Sequence, residues 1–347
     1  MRILVIGGTS FIGPAVVQQL SEQGHTLAVF HRGKTEAELP SGVQHIHTSE
    51  DQKPVRFLPE HVAQFRTFAP DVVVHMLLLG EQDARETLDT FRGMARRLIA
   101  ISSEDVYAAF GRVNKQEPGP PDPLPITEDS PLRTHLYPYR DEKPEQLDNS
   151  QGWMDNYDKI LVERVLLAAP DLPTTVLRLP MVYGPRDPMH RTFTLLKRMD
   201  DQRPAIVFAE PEARWRWTHG YVENVASAIA LAATNDKASG RIYNVGETQT
   251  FTQEEWTRQI AEAAGWHGRI VSVPQERLPE HLIWGVNTEQ DVVVDSTRIR
   301  EELGYTEHVP LDVAMRRTIA WERANPPHEI DEKQFDYDAE DAVLSSL

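Results

Sequence analysis

Short β-branched runs separated by amphipathic stretches set the rhythm of the amino-terminal half. Residues 3–6, 27–30, 43–46, 72–75 and 98–101 read as strands, apolar enough for burial on both faces. Residues 14–23 and 83–96 carry helical periodicity, "GWMDNYDKILVERVLLAAP" predicts one more helix, and "TTVLRLP" one more strand. Strand and helix in alternation predict an α/β fold, a doubly wound parallel sheet with helices on both faces. Beyond Tyr183 short strands (205–208, 241–245) mix with helices (222–233, 253–264), as expected of a smaller C-terminal α/β domain. The expected division is 1–180, 181–325, and an acidic tail, 326–347, loosely held. Residues 111–152 break the pattern. "EPGPPDPLPITEDSPLRTHLYPYRDEKP" is proline-rich and too long for a plain connection, so it reads either as a surface insertion or as a flap over a site at the sheet's carboxyl end.

Composition narrows the chemistry. A net charge of −17 argues against a phosphate-backbone partner, and the absence of cysteine removes disulfides, thiolate nucleophiles and thiolate-held metals. No metal site is expected. "MRILVIGG" begins as a strand, leaving no room for a signal peptide, and the longest apolar run, "VVVHMLLLG", falls well short of a membrane span. A cytoplasmic protein is the expectation.

"RILVIGGTSFIGPAVVQQLSEQGHTLAVFHRGK" is strand, glycine-rich turn, helix and second strand, the arrangement that cradles a dinucleotide. Gly7 permits the tight turn and Gly13 lets the helix approach the sheet. Thr9, Ser10, Phe11 and Ile12 present hydroxyls and backbone N–H groups to the pyrophosphate, Ser10 standing where a glycine is usual. After the second strand come His31, Arg32 and Lys34 in place of an acid, which favours NADP over NAD.

These residues, with "DVVVHM", "ISSEDVY", "YDKILVE", "LRLPMVYGPRD", "WTHGYVENVASAIALA", "YNVGE" and "VDSTRIREELGY", resemble the extended short-chain dehydrogenase/reductases, the NAD-dependent epimerase/dehydratase group, from residue 2 to about 320. The resemblance implies a Rossmann fold and an oxidoreductase acting on a sugar nucleotide or related hydroxyl-bearing substrate. It also implies a homodimer, built on the helix bearing Lys159 and its predecessor, with Ile160, Val162 and Leu167 as candidate contacts. A similarity to the atypical branch containing chloroplast stem-loop RNA-binding proteins leaves a non-catalytic cofactor- or RNA-binding role as an alternative. An NADPH-dependent carbonyl reductase is a third.

By the resemblance Ser103 holds the reacting oxygen and Lys159 binds the nicotinamide ribose. Glu104 and Asp105 occupy the positions of the acid and base of sugar-nucleotide dehydratases. The proton-carrying tyrosine of the family stands four residues before the lysine, where this chain has Asp155. Tyr157 lies two residues before, about 200° round a regular helix. Three arrangements stay open: a helix that starts late and frees Tyr157 to turn inward, a substitute carrier (Asp155, Tyr137 or Tyr139), or loss of proton transfer. "YRDEK", 139–143, has the family spacing but lies between prolines and reads as a decoy. Tyr137, Tyr139, Arg186, Arg216 and Arg298, with His190 and Arg214, are candidates for an anionic substrate. Met181 replaces an asparagine that often touches the sugar nucleotide.

Overall fold

The computed structural model describes residues 1–35, 37–48, 55–140 and 152–347. Its first half runs β1 (Arg2–Ile6), α1 (Ile12–Glu22), β2 (Thr26–His31), β3 (Gln44–His47), α2 (Pro59–Phe68), β4 (Val72–His75), α3 (Glu81–Phe91), β5 (Arg97–Ser103), α4 (Ala108–Val113), α5 (Lys159–Leu167) and β6 (Thr174–Leu179). There follow β7 (Met181–Tyr183), α6 (Phe193–Asp200), β8 (Ala205–Ala209), α7 (Glu210–Arg214), β9 (His219–Tyr221), α8 (Val222–Thr234) and β10 (Ile242–Asn244). The chain closes with α9 (Gln253–Ala264), β11 (Arg269–Val273), α10 (Thr297–Leu303), α11 (Leu311–Ala324) and α12 (Tyr337–Ser345).

Seven parallel strands form the main sheet in the order β10-β6-β5-β4-β1-β2-β3, the doubly wound arrangement the alternation implies. Successive residues of β1 feed opposite cores. Ile3 and Val5 pack with Val16 of α1 and Ile229 of α8, while Leu4 and Ile6 pack with Phe65, Phe91 and Leu166. Both faces are dry, which is why these strands are apolar throughout. Smaller parallel pairs, β11-β8 and β7-β9, make the remaining sheets.

Three expectations need correcting. The strand at 241–245, assigned by sequence to the second domain, is β10, the edge of the main sheet beside β6, and α8 packs on α1. The chain therefore crosses back after β9, and 181–325 is not one contiguous domain. The acidic end is not loose: α12 docks through a buried Arg198–Glu340 pair at 2.7 Å, and Val343 joins Val207, Ala209 and Val273 in a core of their own. Ile160 and Val162 are fully buried within the protomer, so of the three contacts expected for a dimer only Leu167 faces outward. No helix among the described residues is long and apolar enough to cross a membrane.

Candidate active site and cofactor cradle

At the cofactor end Gly7 adopts φ +88°, where a Cβ would lie 2.5 Å from Leu77 Cγ. A Cβ on Gly13 would lie 2.6 Å from the Gly8 carbonyl carbon, so α1 approaches the β1 turn as only glycine permits. Phe11 stands at the amino end of α1 with φ 46°, and no side chain caps that end. The Gly13 N–H is taken by the Ser10 carbonyl at 2.9 Å and Pro14 has none, so only the first N–H groups of that end could serve an anion. Beside the turn is a cavity of about 110 Å³ lined by Gly7, Thr9, Ser10, His31, Arg32 and Lys34. Six of the residues expected at the cofactor thus line one cavity, with Ser10 exposed and Thr9 buried, while Ile12 packs against the core and Lys159 lies elsewhere, on α5.

The centre of the site lies at the carboxyl end of β5. Ser103 ends the strand, and its Oγ accepts the Asp105 N–H at 3.1 Å, which leaves its own proton to give away. Glu104 and Asp105 form the buried 3₁₀ turn that follows. Helix α5 begins only at Lys159, because Asp158 is its cap and accepts the Ile160 N–H at 2.9 Å. Ahead of the cap, Trp153–Asn156 make a separate 3₁₀ turn and Tyr157 is extended, with ψ 122°. The two-residue spacing is thus not read on a helix. Tyr157 turns inward and its hydroxyl donates to Asp105 Oδ2 at 2.6 Å. The Lys159 ammonium lies 5.7 Å from the Tyr157 ring centre and donates to the carbonyls of Leu78 and Ile101. This is the first of the three arrangements left open by the sequence. Asp155 stays on the outer turn, partly exposed, its carbonyl receiving Arg140 Nε at 3.0 Å.

Burial dominates the electrostatics. Desolvation raises Glu104 well above the ordinary carboxyl range against a hydrogen bond from Trp217 Nε1. Asp105 is also raised by burial, with Arg133, the Tyr157 hydroxyl and Lys159 pulling the other way. Tyr157 is pushed well above 10 by burial and by the charge of Asp105, and burial lowers Lys159. Glu104 Oε2 and Asp105 Oδ1 are buried without a hydrogen-bond partner among the described residues.

The proline-rich insertion supplies the roof. Arg133, wholly buried, donates through Nε to the Asp105 carbonyl and through Nη1 to the His135 carbonyl, and its Nη2 lies 4.0 Å from Asp105 Oδ1 and 3.6 Å from Asp158 Oδ1. Tyr139 packs on Tyr157 with ring centres 5.1 Å apart, and Tyr137 gives its backbone N–H to Asp158 Oδ2 at 2.7 Å. Residues 133–139 of the insertion thus pack against this centre; in "YRDEK" Asp141, Glu142 and Lys143 lie outside the described residues. Arg133 and Trp217 escaped the sequence reading. "RWRW", noted there as basic-aromatic, instead places two indole donors, Trp217 on Glu104 and Trp215 on the Gln290 carbonyl. The expected anion cluster dissolves into separate pairs. Arg216 is held by Asp291, Arg298 by Asp129, and His190 by Glu322, while Arg186 and Arg214 are exposed. The three paired side chains found carboxylates nearer to hand, as a chain so rich in acid allows.

A profile of the NAD dependent epimerase/dehydratase family matches residues 3–246. The chain belongs to the NAD-dependent epimerase/dehydratase family. Among family relatives, a UDP-N-acetyl-alpha-D-glucosaminuronate decarboxylase of Bacillus cytotoxicus is 24% identical over 93% of this chain and 98% of its own length. The dTDP-glucose 4,6-dehydratase 1 of Escherichia coli K12 is 23% identical over 94% and 93%. In fold, the UDP-glucose 4-epimerase of Thermus thermophilus, solved with NAD, superposes with a TM-score of 0.64 at 22% identity, over 93% of this chain and 99% of that one.

Proposed function

We propose that the protein is a nicotinamide-dependent enzyme that oxidises a hydroxyl of a nucleoside-diphosphate sugar and eliminates water next to the ketone. The observation that carries this is the Tyr157 hydroxyl on Asp105 Oδ2 beside Lys159, reached in spite of the unusual spacing. The cradle at Gly7, Ser10 and Gly13 fits a dinucleotide, which when bound accepts and returns a hydride. Arg32 and Lys34 at the rim favour a 2′-phosphate. The related proteins act, by their names, on UDP- and dTDP-sugars, which outweighs Met181 as an objection.

In this reading Ser103 Oγ–H donates to the reacting oxygen, whose proton enters the Tyr157–Asp105 pair. The environment separates the two carboxyls. Glu104, raised further, is the neutral acid that protonates the departing hydroxyl. Asp105, beside Arg133 and Lys159, is the base for the neighbouring C–H. The hydroxyl's proton passes on from the pair to solvent. Asp105 takes the C–H proton and gives it back to that carbon as the hydride that a bound dinucleotide would hold is returned to the sugar. Glu104 recovers from solvent the proton that left with water, so the site ends the cycle balanced. Lys159 holds the ribose and Tyr139 shields Tyr157 from water. A homodimer through the outer faces of α3 and α5 belongs to the same proposal.

The test is incubation of the full chain with UDP-, dTDP- and GDP-hexoses and either nicotinamide cofactor, following keto-sugar formation by mass spectrometry. A product lighter by one water supports the assignment. Oxidation or reduction without water loss restricts Tyr157 and Lys159 to a simple reductase. No thermal shift with millimolar NAD or NADP overturns the cofactor cradle itself.

A further inference from the structure

Away from this centre, three imidazoles converge at the carboxyl ends of β2 and β3. His31 and His47 are register partners in the parallel pair, and His45, two residues before His47, projects from the same face. One ring nitrogen from each lies within 4.8 Å of the others. His31 Nε2 and His45 Nδ1 are 2.9 Å apart, and the ring centre of His31 is 4.4 Å from that of His47. His31 is buried, whereas His45 and His47 are exposed, so the cluster has a rigid floor and a side open to solvent.

We propose that His31, His45 and His47 bind a divalent transition-metal ion. Tetrahedral zinc with nitrogen at 2.0–2.1 Å sets its ligand nitrogens about 3.3 Å apart, a few tenths of an ångström beyond the His31–His45 separation. Rotation of the two exposed rings supplies the rest. Arg32 and Lys34 stand nearby and repel any dication, so affinity has to come from nitrogen ligation rather than from the field. That selects zinc, cobalt, nickel or copper and excludes magnesium and calcium, which take oxygen ligands. Three protein ligands leave the fourth position open. His31 also lines the cavity beside Ser10, Arg32 and Lys34, so a metal held there adjoins the cofactor's adenosine end in the reading above.

Ligation has an identifiable cost. The Gly33 N–H donates to His31 Nδ1 at 3.2 Å, which fixes the ring proton on Nε2, shared with His45. Binding through Nε2 moves that proton to Nδ1 and displaces the Gly33 amide. Two hydrogen bonds, that of the Gly33 N–H and that between His31 and His45, are exchanged for three metal bonds.

Cobalt(II) titration of the chelator-treated full chain, without nucleotide, reads the site by its visible absorption. Its outcome is independent of the enzymatic proposal. The expected result is one cobalt per chain with the intense bands of a four-coordinate ion, displaced by zinc and not by magnesium. His45→Ala and His47→Ala, both at exposed positions, each weaken binding by more than about tenfold, with metal-free melting unchanged, and His267→Ala, at an exposed histidine in the turn between α9 and β11, has no effect. Absence of the bands overturns the proposal, as does binding that survives both substitutions or depends on His267.

Discussion

Tyr157 shows how one residue's placement turns on its neighbour. A spacing rule applied to a helix drawn through Asp155 sends the tyrosine to the wrong face; Asp158 as cap starts the helix later and frees it. That cap was readable, since aspartate directly before an apolar helix is a start signal. The destination, Asp105, was not, because it lies 52 residues away and only tertiary packing joins them. Tyr157→Phe removes one hydroxyl and is expected to lower turnover by about 10²–10⁴ with dinucleotide binding retained, measured by steady-state kinetics and calorimetry. Glu104→Gln separates the two steps. It keeps a group able to bond Trp217 but cannot give a proton, so water loss falls by at least about 10² while oxidation of the hydroxyl persists. Equal loss of both steps would remove Glu104 from the elimination.

At the scale of elements, periodicity located the repeating strands and helices well, with residues 72–75 and 253–264 matching β4 and α9 end for end. It failed where composition averaged over a segment hides the few residues that matter. The insertion is polar and proline-led, yet Arg133 within it is wholly buried, held by the Asp105 and His135 carbonyls. The carboxyl end reads as an acidic tail, yet Glu340 is buried against Arg198 and Val343 fills an apolar cluster. The order of strands was equally out of reach, because the pairing of β10 with β6 is a long-range choice. Glu340→Gln keeps α12 in place and leaves the buried Arg198 guanidinium without its carboxylate, beside the carbonyls of Thr194 and Gln334 and the Phe335 ring. Breaking such a pair costs about 3–5 kcal/mol, a drop in melting temperature easily resolved by calorimetry. A tail that was merely tethered would leave melting untouched.

Over the whole molecule, buried ionisable groups of opposite kind make stability depend on pH in both directions. His219 is fully buried, stacked on Trp256 with ring centres 3.8 Å apart, and burial lowers it to about 3. Its folded value is below the unfolded 6.5, so the unfolded chain binds the extra proton and stability is lost as pH falls from 6.5 toward about 3. Glu247, which accepts from the Tyr183 hydroxyl and the Tyr221 N–H, is raised by burial from 4.5 to about 7. Here the folded value is the higher one, so stability is lost as pH rises from 4.5 to about 7. Other carboxyls titrate in the same range, so each contribution is read as a difference from wild type. For Glu247→Gln, melting relative to wild type should improve steadily as pH rises between 4.5 and 7 and then level off. For His219→Gln the relative gain should run the other way, growing as pH falls below 6.5. The two sites are joined through Tyr183, whose ring lies 6.2 Å from the His219 ring and whose hydroxyl bonds Glu247, so the double variant also reports their coupling. Difference curves that are flat, or that slope in the same direction, would show that these groups do not hold their altered protonation in the folded chain.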